Sequence, residues 1–431
     1  MTQAFQHKDD YERKIIKQFR STRQQTIELC EPLNKEDFTI QSMPDVSPPK
    51  WHLAHTTWFF EAFLLCKFSS TYKVFNKAYD YLFNSYYETH GSFHLRSERG
   101  LLSRPETSEV LNYRRYVDDH IEELLLELNT KNRDDILSIL ELGTHHEQQH
   151  QELLLMDIKY NFFKNPLKPA YLNQTKTSRL DVSSKSEQWL KVPEGIYTVG
   201  ASHEGFSYDN ESCRHKVYIN PVKLRSTLVS NEEYLAFIED GGYSKSELWL
   251  SEARTHAEAK HFKQPLYWQH DGKEWFEFTL YGLKPLELAA PVSHISYFEA
   301  DAFARWKGFR LPTEFEWEAT AQDKPIDGHF LDSSDFHPYP NNNCDQTSHQ
   351  LYGSLWEWTS SSYAPYYGFT PSHGTLGEYN GKFMSNQYVL RGGCFATAKF
   401  HIRSSYRNFY PTHSRWMFSG IRLAKEFNSD D

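Results

Sequence analysis

The chain has 431 residues, enough for two or three domains that each bury a core. Its net charge of −10, with no long basic stretch, argues against a nucleic-acid partner, and no apolar run approaches the roughly 20 residues that span a bilayer. The five cysteines (Cys30, Cys66, Cys213, Cys344, Cys394) form no CxxC pair, so neither a disulfide framework nor a zinc ribbon is indicated. The first residues, Met1-Thr2-Gln3-Ala4-Phe5, lack a signal-peptide pattern, and a soluble cytoplasmic protein is expected. Aromatics make up 16% of the chain, which suggests irregular, aromatic-packed structure and a π-lined pocket.

Taken in order, residues 8–165 read as helical. Segment 12–30 is charged and amphipathic, and 51–68 is strongly apolar and opens after Ser47-Pro48-Pro49, a helix-start signal. Segments 108–128 and 133–163 complete four helices, which predict an antiparallel bundle whose core is a usual place for a metal. Residues 166–188 are polar and proline-punctuated and read as a linker. From 189 to 427 short strand-like segments, such as 195–200 and 388–391, alternate with stretches rich in Gly, Pro, Asn and Trp. That pattern predicts an α+β domain with large functional loops.

The chemistry concentrates in His145-His146-Glu147-Gln148-Gln149-His150, set between Leu-rich flanks. On a helix, residues four apart share a face, so His146 and His150 can reach one ion from the same side. A third imidazole would complete a facial three-histidine site with open positions for redox or Lewis-acid chemistry. The alternative is a solvated or hydrogen-bonded polar face. His146-Glu147-Gln148-Gln149-His150 also satisfies the zincin pattern H-E-x-x-H, which makes a zinc metallohydrolase with Glu147 as base a rival. The helix opening Trp51-His52-Leu53-Ala54-His55 offers further histidines, although one histidine on an apolar helix is more often a core residue than a ligand.

Pro49-Lys50-Trp51-His52-Leu53-Ala54-His55-Thr56-Thr57-Trp58-Phe59-Phe60-Glu61 and His146-Glu147-Gln148-Gln149-His150-Gln151-Glu152-Leu153 resemble the two ligand motifs of the ergothioneine-pathway sulfoxide synthases. The second half resembles the formylglycine-generating-enzyme-like (C-type-lectin-like) domain. Its marks are Gly308-Phe309-Arg310-Leu311-Pro312-Thr313-Glu314 with Glu316-Trp317-Glu318, Leu355-Trp356-Glu357-Trp358-Thr359, Leu390-Arg391-Gly392-Gly393 and Gly420-Ile421-Arg422-Leu423-Ala424. The first half resembles a DinB-like four-helix bundle, and the two resemblances together cover nearly the whole chain. They imply a DinB-like bundle over 8–165 and a formylglycine-generating-enzyme-like domain over 189–427, rich in irregular loops.

The resemblance implies Fe(II) held by His55, His146 and His150, with O₂ used to join a thiol sulfur to C2 of the imidazole of hercynine as a sulfoxide. It implies that much of the substrate-binding surface comes from the second domain. One subgroup of the family carries a catalytic tyrosine three residues before the Tyr of a pattern that survives here as Glu378-Tyr379, but that position is Leu376. Another carries a tyrosine pair in the first domain, matched by Tyr86-Tyr87, so Tyr87 is the expected acid and Tyr86 its neighbour. Gln149, Tyr379 and Asn408 match hercynine-binding positions, and Phe409 and Trp416 are candidates to hold its trimethylammonium on aromatic faces. Core packing is the alternative for these aromatics.

Arg96, Arg99 and Arg104 follow the tyrosine pair, and guanidinium forks suit the thiol substrate's carboxylate. Members that use γ-glutamylcysteine carry an acidic residue two after the Asn of their R-N-W-D motif. Here Arg407-Asn408-Phe409-Tyr410 places a tyrosine there, which favours cysteine over γ-glutamylcysteine. No cysteine follows Cys394, so the cysteine pair of the formylglycine-generating enzymes is missing. Expected partners are therefore small molecules: hercynine, a cysteine-type thiol and O₂. The rival readings are an ovothiol-type synthase acting on histidine, a selenoneine-type synthase, the zinc metallohydrolase and a non-enzymatic binding module. Sequence says nothing of oligomeric state.

Overall fold

The four helical segments read from the sequence fold as α1 (Thr2–Glu28), α2 (Pro49–Phe60), α3 (Thr107–Leu126) and α4 (Arg133–Lys164) in the computed structural model. The structure describes residues 2–128, 131–173, 188–202, 204–259, 262–340, 350–371 and 375–427. Most of the expected linker, 174–187, and Cys344 lie outside the described residues. The chain divides into two units, Met1–Leu167 with His373–Tyr379, and Lys168–Ser372 with Asn380–Asp431. No described helix is long and apolar enough to cross a membrane.

In the first unit, Pro49 opens α2 at the position where a missing N–H costs nothing and a fixed φ is pre-set for the helix. Every residue of α2 is buried, the polar Lys50, His52, His55, Thr56 and Thr57 included. It packs on α3 and α4, and α1 lies along α4. Beyond Phe60 the helix widens into a π turn, Glu61–Leu65, a distortion that clusters at functional sites. The buried Glu61 carboxylate anchors that turn: it accepts hydrogen bonds from Tyr72 Oη and Tyr113 Oη, each at 2.6 Å, and from Phe75 N at 3.0 Å. On α4, Asp134 and Asp135 stand in the first turn and Lys164 in the last, which suits the helix dipole at both ends.

The second unit contains a four-stranded sheet in the order Asn408–Pro411, Gln387–Arg391, Trp356–Ser362, Ser419–Gly420, with only the last pairing parallel. A three-stranded antiparallel sheet sets Val222–Arg225 between Trp189–Val192 and Ala424–Glu426. The motifs that mark this domain in the sequence meet as buried ion pairs. Arg407 forks onto Glu314 at 2.8 and 3.0 Å, Arg391 reaches Glu318 at 2.8 Å, and Arg422 grips Glu357, which also accepts from Trp317 Nε1 at 2.7 Å. These charges are paired and multiply hydrogen-bonded, as burial demands. In this domain the motif residues are therefore scaffold.

One close approach sets the spacing of α2 and α4. A Cβ built on Gly143 would lie 2.4 Å from Phe60 Cε1, well inside van der Waals contact. Gly143 sits one turn before His146, so this contact also sets how far the α4 histidines stand from α2. Gly143→Ala should cost about 1–3 kcal/mol through overpacking, read as a lower midpoint of chemical denaturation. A midpoint at or above wild type, as helix propensity alone predicts, would show that α2 and α4 can separate freely.

Candidate metal centre

Three histidines converge inside the first unit. His55 from α2 and His146 and His150 from α4 each offer a ring nitrogen, and the three nitrogens lie within 4.8 Å of one another. His55 and His146 are fully buried, while His150 is half-buried. His55 Nδ1 donates to the carbonyl of Phe83 at 2.6 Å, so its proton is placed and Nε2 presents a lone pair. That Nε2 lies 3.1 Å from His146 Nε2. A cation shared by both nitrogens requires the His146 proton to sit on Nδ1, which has no hydrogen-bond partner among the described residues.

Burial keeps all three imidazoles neutral. It drives the His146 pKa down to about 3; His55 falls well below the ordinary value through burial and the neighbouring His146, and His150 through burial, His55 and His146. Three unprotonated nitrogens within 4.8 Å of one another, with no carboxylate among them, fit a borderline divalent ion. Trp51 stacks on His55 with ring centroids 4.5 Å apart, and Trp58 lies stacked at 5.7 Å.

Glu147 is turned away from this centre. Its carboxylate accepts from Thr26 Oγ1 at 2.6 Å and Arg23 Nη1 at 2.8 Å, and is paired with Arg114. Burial alone would raise its pKa, but Arg114 and Arg23 hold it at about 2. A carboxylate so bound is a poor proton acceptor, so the H-E-x-x-H pattern is met in letters and not in chemistry. The zinc-hydrolase reading loses its base.

Around the histidines the structure gathers Tyr379, Gln149, Tyr86 and Tyr87. Tyr379 lies 5.7 Å from His146 between ring centroids, and its hydroxyl hydrogen-bonds Gln149 Oε1. It reaches this place because its segment is pinned through Glu378, which accepts from Glu88 N at 3.0 Å and Thr89 N at 2.9 Å. Tyr86 packs against Tyr379 at 6.3 Å and against Tyr87 at 4.7 Å. Tyr87 is fully buried beside Trp58 and Phe63, and Asn84 braces its backbone through bonds to Tyr87 N and O, each at 3.1 Å.

The three arginines separate. Arg99 is buried, lies 3.3 Å over the Trp51 ring and donates to Ser47 Oγ at 2.8 Å. Arg96 is exposed and bonded to the Asp45 carbonyl, and Arg104 is exposed near Glu106 at 3.7 Å. Within the second unit, Asn408 Oδ1 accepts from Phe409 N at 2.9 Å. Phe409 stacks on Tyr363 at 4.0 Å, and Trp416 meets Tyr410 edge-on at 5.9 Å. Cys394 is buried beside Thr397.

Sequence reading assigned no role to His52 or Asp157. His52 Nδ1 lies 2.9 Å from His150 Nδ1, and His52 Nε2 lies 3.0 Å from Asp157 Oδ2. The signal was present: His52 is three residues before His55, and Asp157 is two helical turns after His150.

A helical bundle that converges three imidazoles able to hold a metal ion stands here in one chain with a formylglycine-enzyme-like α+β domain. Residues 18–154 match the DinB superfamily, and 174–345 with 327–427 match the sulfatase-modifying factor enzyme 1-like domain. Hercynine oxygenase from Mycolicibacterium smegmatis is 32% identical over 324 residues, covering 69% of this chain and 74% of that protein. That from Mycolicibacterium thermoresistibile is 30% identical, covering 65% and 67%, and that from Mycobacterium tuberculosis 34%, covering 53% and 58%. The chain belongs to the hercynine oxygenase family of ergothioneine-pathway sulfoxide synthases.

The depressed imidazoles carry a pH signature. In the unfolded chain each takes up a proton near 6.5, whereas folded His146 does so only near about 3. Between those values the unfolded state binds more protons, so this contribution to stability is complete above 6.5 and is lost as pH falls through that window. His146→Leu should flatten the fall in unfolding free energy of the metal-free protein between pH 6 and 5 by at most about 1.4 kcal/mol per pH unit. Equal pH slopes in the two proteins would show that His146 titrates normally in the fold.

Proposed function

We propose that this chain is an Fe(II)- and O₂-dependent synthase that joins the sulfur of cysteine to C2 of the hercynine imidazole as a sulfoxide. The observation that carries the reading is the facial trio His55, His146 and His150, with the Tyr379–Gln149 pair beside His146. The overall reaction balances with dioxygen alone. A C–H and an S–H bond break, C–S and S–O bonds form, and the four electrons released reduce O₂ to the sulfoxide oxygen and one water. His55, His146 and His150 would hold the iron, which when bound would supply activation of O₂ and acidification of the thiol.

The chain's own residues bind, orient and move protons. His55, His146 and His150 would hold the iron through neutral nitrogens, and the stacked Trp51 and Trp58 fix His55. Gln149 and Tyr379 offer hydrogen-bonding groups to hercynine. Asn408 serves its polar end, and the faces of Phe409 and Trp416 suit a trimethylammonium, which has no donor. The Tyr86–Tyr87 pair is the proton source, with Tyr87 as the acid. Arg99, a buried cation among the three arginines, is the anchor for the thiol substrate's carboxylate, with Arg96 and Arg104 nearer solvent. The preference for cysteine rests on Tyr410. A phenol packed on Trp416 offers no charge to the amine of a γ-glutamyl group.

The test is anaerobically purified, Fe(II)-loaded protein given hercynine, cysteine and O₂, with products read by mass spectrometry. Parallel reactions replace cysteine by γ-glutamylcysteine or hercynine by histidine. The hercynine–cysteine sulfoxide should dominate, and Tyr87→Phe should lower its rate by about tenfold or more. Faster turnover of γ-glutamylcysteine would overturn the donor assignment. No adduct with any pair, from protein that holds iron, would overturn the reaction.

A further inference from the structure

The three metal-facing histidines are oriented in three different ways. His55 is held by a backbone carbonyl, and His146 Nδ1 has no partner among the described residues. His150 is held by another imidazole. Asp157 Oδ2 accepts from Ser47 N at 2.8 Å, so it presents an acceptor to His52, whose Nε2 at 3.0 Å must donate. His52 is a buried ring whose Nε2 proton is engaged by Asp157, and a single hydrogen bond joins its Nδ1 to His150 Nδ1. With that proton on Nε2, His52 Nδ1 is an acceptor, and the nitrogen 2.9 Å away, His150 Nδ1, must donate to it. Each proton assignment follows from the one before it, starting at a carboxylate oxygen.

We infer that His52, backed by Asp157, is a positioning residue that fixes His150 as its Nδ1–H tautomer and so directs the His150 Nε2 lone pair to the ion. The inference rests on the metal-centre reading. Both nitrogens of His52 are engaged, so it stands behind the ligands and is not a fourth one. Ser47 holds the far end: its backbone N–H meets Asp157, and its hydroxyl accepts from Arg99 at 2.8 Å. The arrangement gives both histidines of α2 a place: His55 among the ligands and His52 behind His150. Outer hydrogen bonds of this kind fix ring orientation and ligand basicity in metal sites.

The direct test is a long-range ¹H–¹⁵N correlation on Zn(II)-loaded, ¹⁵N-histidine-labelled full-length protein. His150 should carry its proton on Nδ1 and His52 on Nε2; a His150 proton on Nε2 would overturn the inference. Co(II) affinity by chelator competition gives a second readout that a purely structural role would not move. His52→Leu should bind Co(II) roughly 10- to 100-fold more weakly, and His52→Gln, whose amide oxygen can accept from His150, should recover most of the loss. A folded His52→Leu protein with wild-type affinity would overturn the inference while leaving the metal centre standing. Wild-type protein that takes up neither ion would overturn both. If His52→Leu fails to fold, the tautomer measurement on the wild type still decides.

Discussion

His55 Nε2 and His146 Nε2 face each other across 3.1 Å in a core where both rings are buried and neutral. Water cannot solvate those lone pairs, and an unmet polar group in such a place is costly. A divalent ion would answer that cost for all three rings at once. The geometry works only if α2 and α4 stay at a fixed distance and rotation. Gly143 against Phe60 sets the distance, and the buried ion pairs of Glu147 with Arg23 and Arg114 lock the opposite side of α4. Glu147 lies next to His146 in sequence, so its engagement with α1 and α3 turns His146 toward α2. The same glutamate that completes a zincin-like string thus serves as the strut that aims the ligand.

Both units use buried charge as framework. In the first, Glu61 and Glu147 are satisfied by tyrosines, a threonine and arginines from neighbouring segments. In the second, Glu314, Glu318 and Glu357 are met by Arg407, Arg391 and Arg422. A buried pair adds little net stability against an apolar substitute, but breaking one strands a charge, so these contacts tie distant segments to one arrangement. The metal centre itself is built from neutral nitrogens. Such ligands would leave the charge of a bound ion uncompensated by the protein and available to anionic groups.

The helices were legible as long segments, α1 charged and amphipathic and α2 strongly apolar after Ser47-Pro48-Pro49, and the i,i+4 pair His146–His150 announced itself. The strands 195–199 and 387–391 were legible as short β-rich runs between turn residues. What could not be read were relations set by tertiary contact. Nothing local places Tyr379 beside His146; that depends on Glu378 capping backbone N–H groups near residue 88, about 290 residues earlier in the chain. The role of Glu147 depends on two arginines from other helices, and the π turn at Glu61–Leu65 on three donors to one carboxylate. His52 was visible as a residue, but its partner Asp157 lies on another helix. Of the three arginines, sequence could not say that Arg99 alone is buried, because that follows from the ring of Trp51 beneath it.

The central claim is that three neutral histidines of the first unit form one metal centre. It is tested most directly by titrating the metal-free protein anaerobically with Fe(II), then adding nitric oxide and recording the electron paramagnetic resonance of the adduct. The account predicts one ion per chain in the wild type and loss of the signal in His55→Ala, His146→Ala and His150→Ala alike. Iron uptake unchanged by removing any of the three, or wild-type protein that takes up no iron, would contradict it.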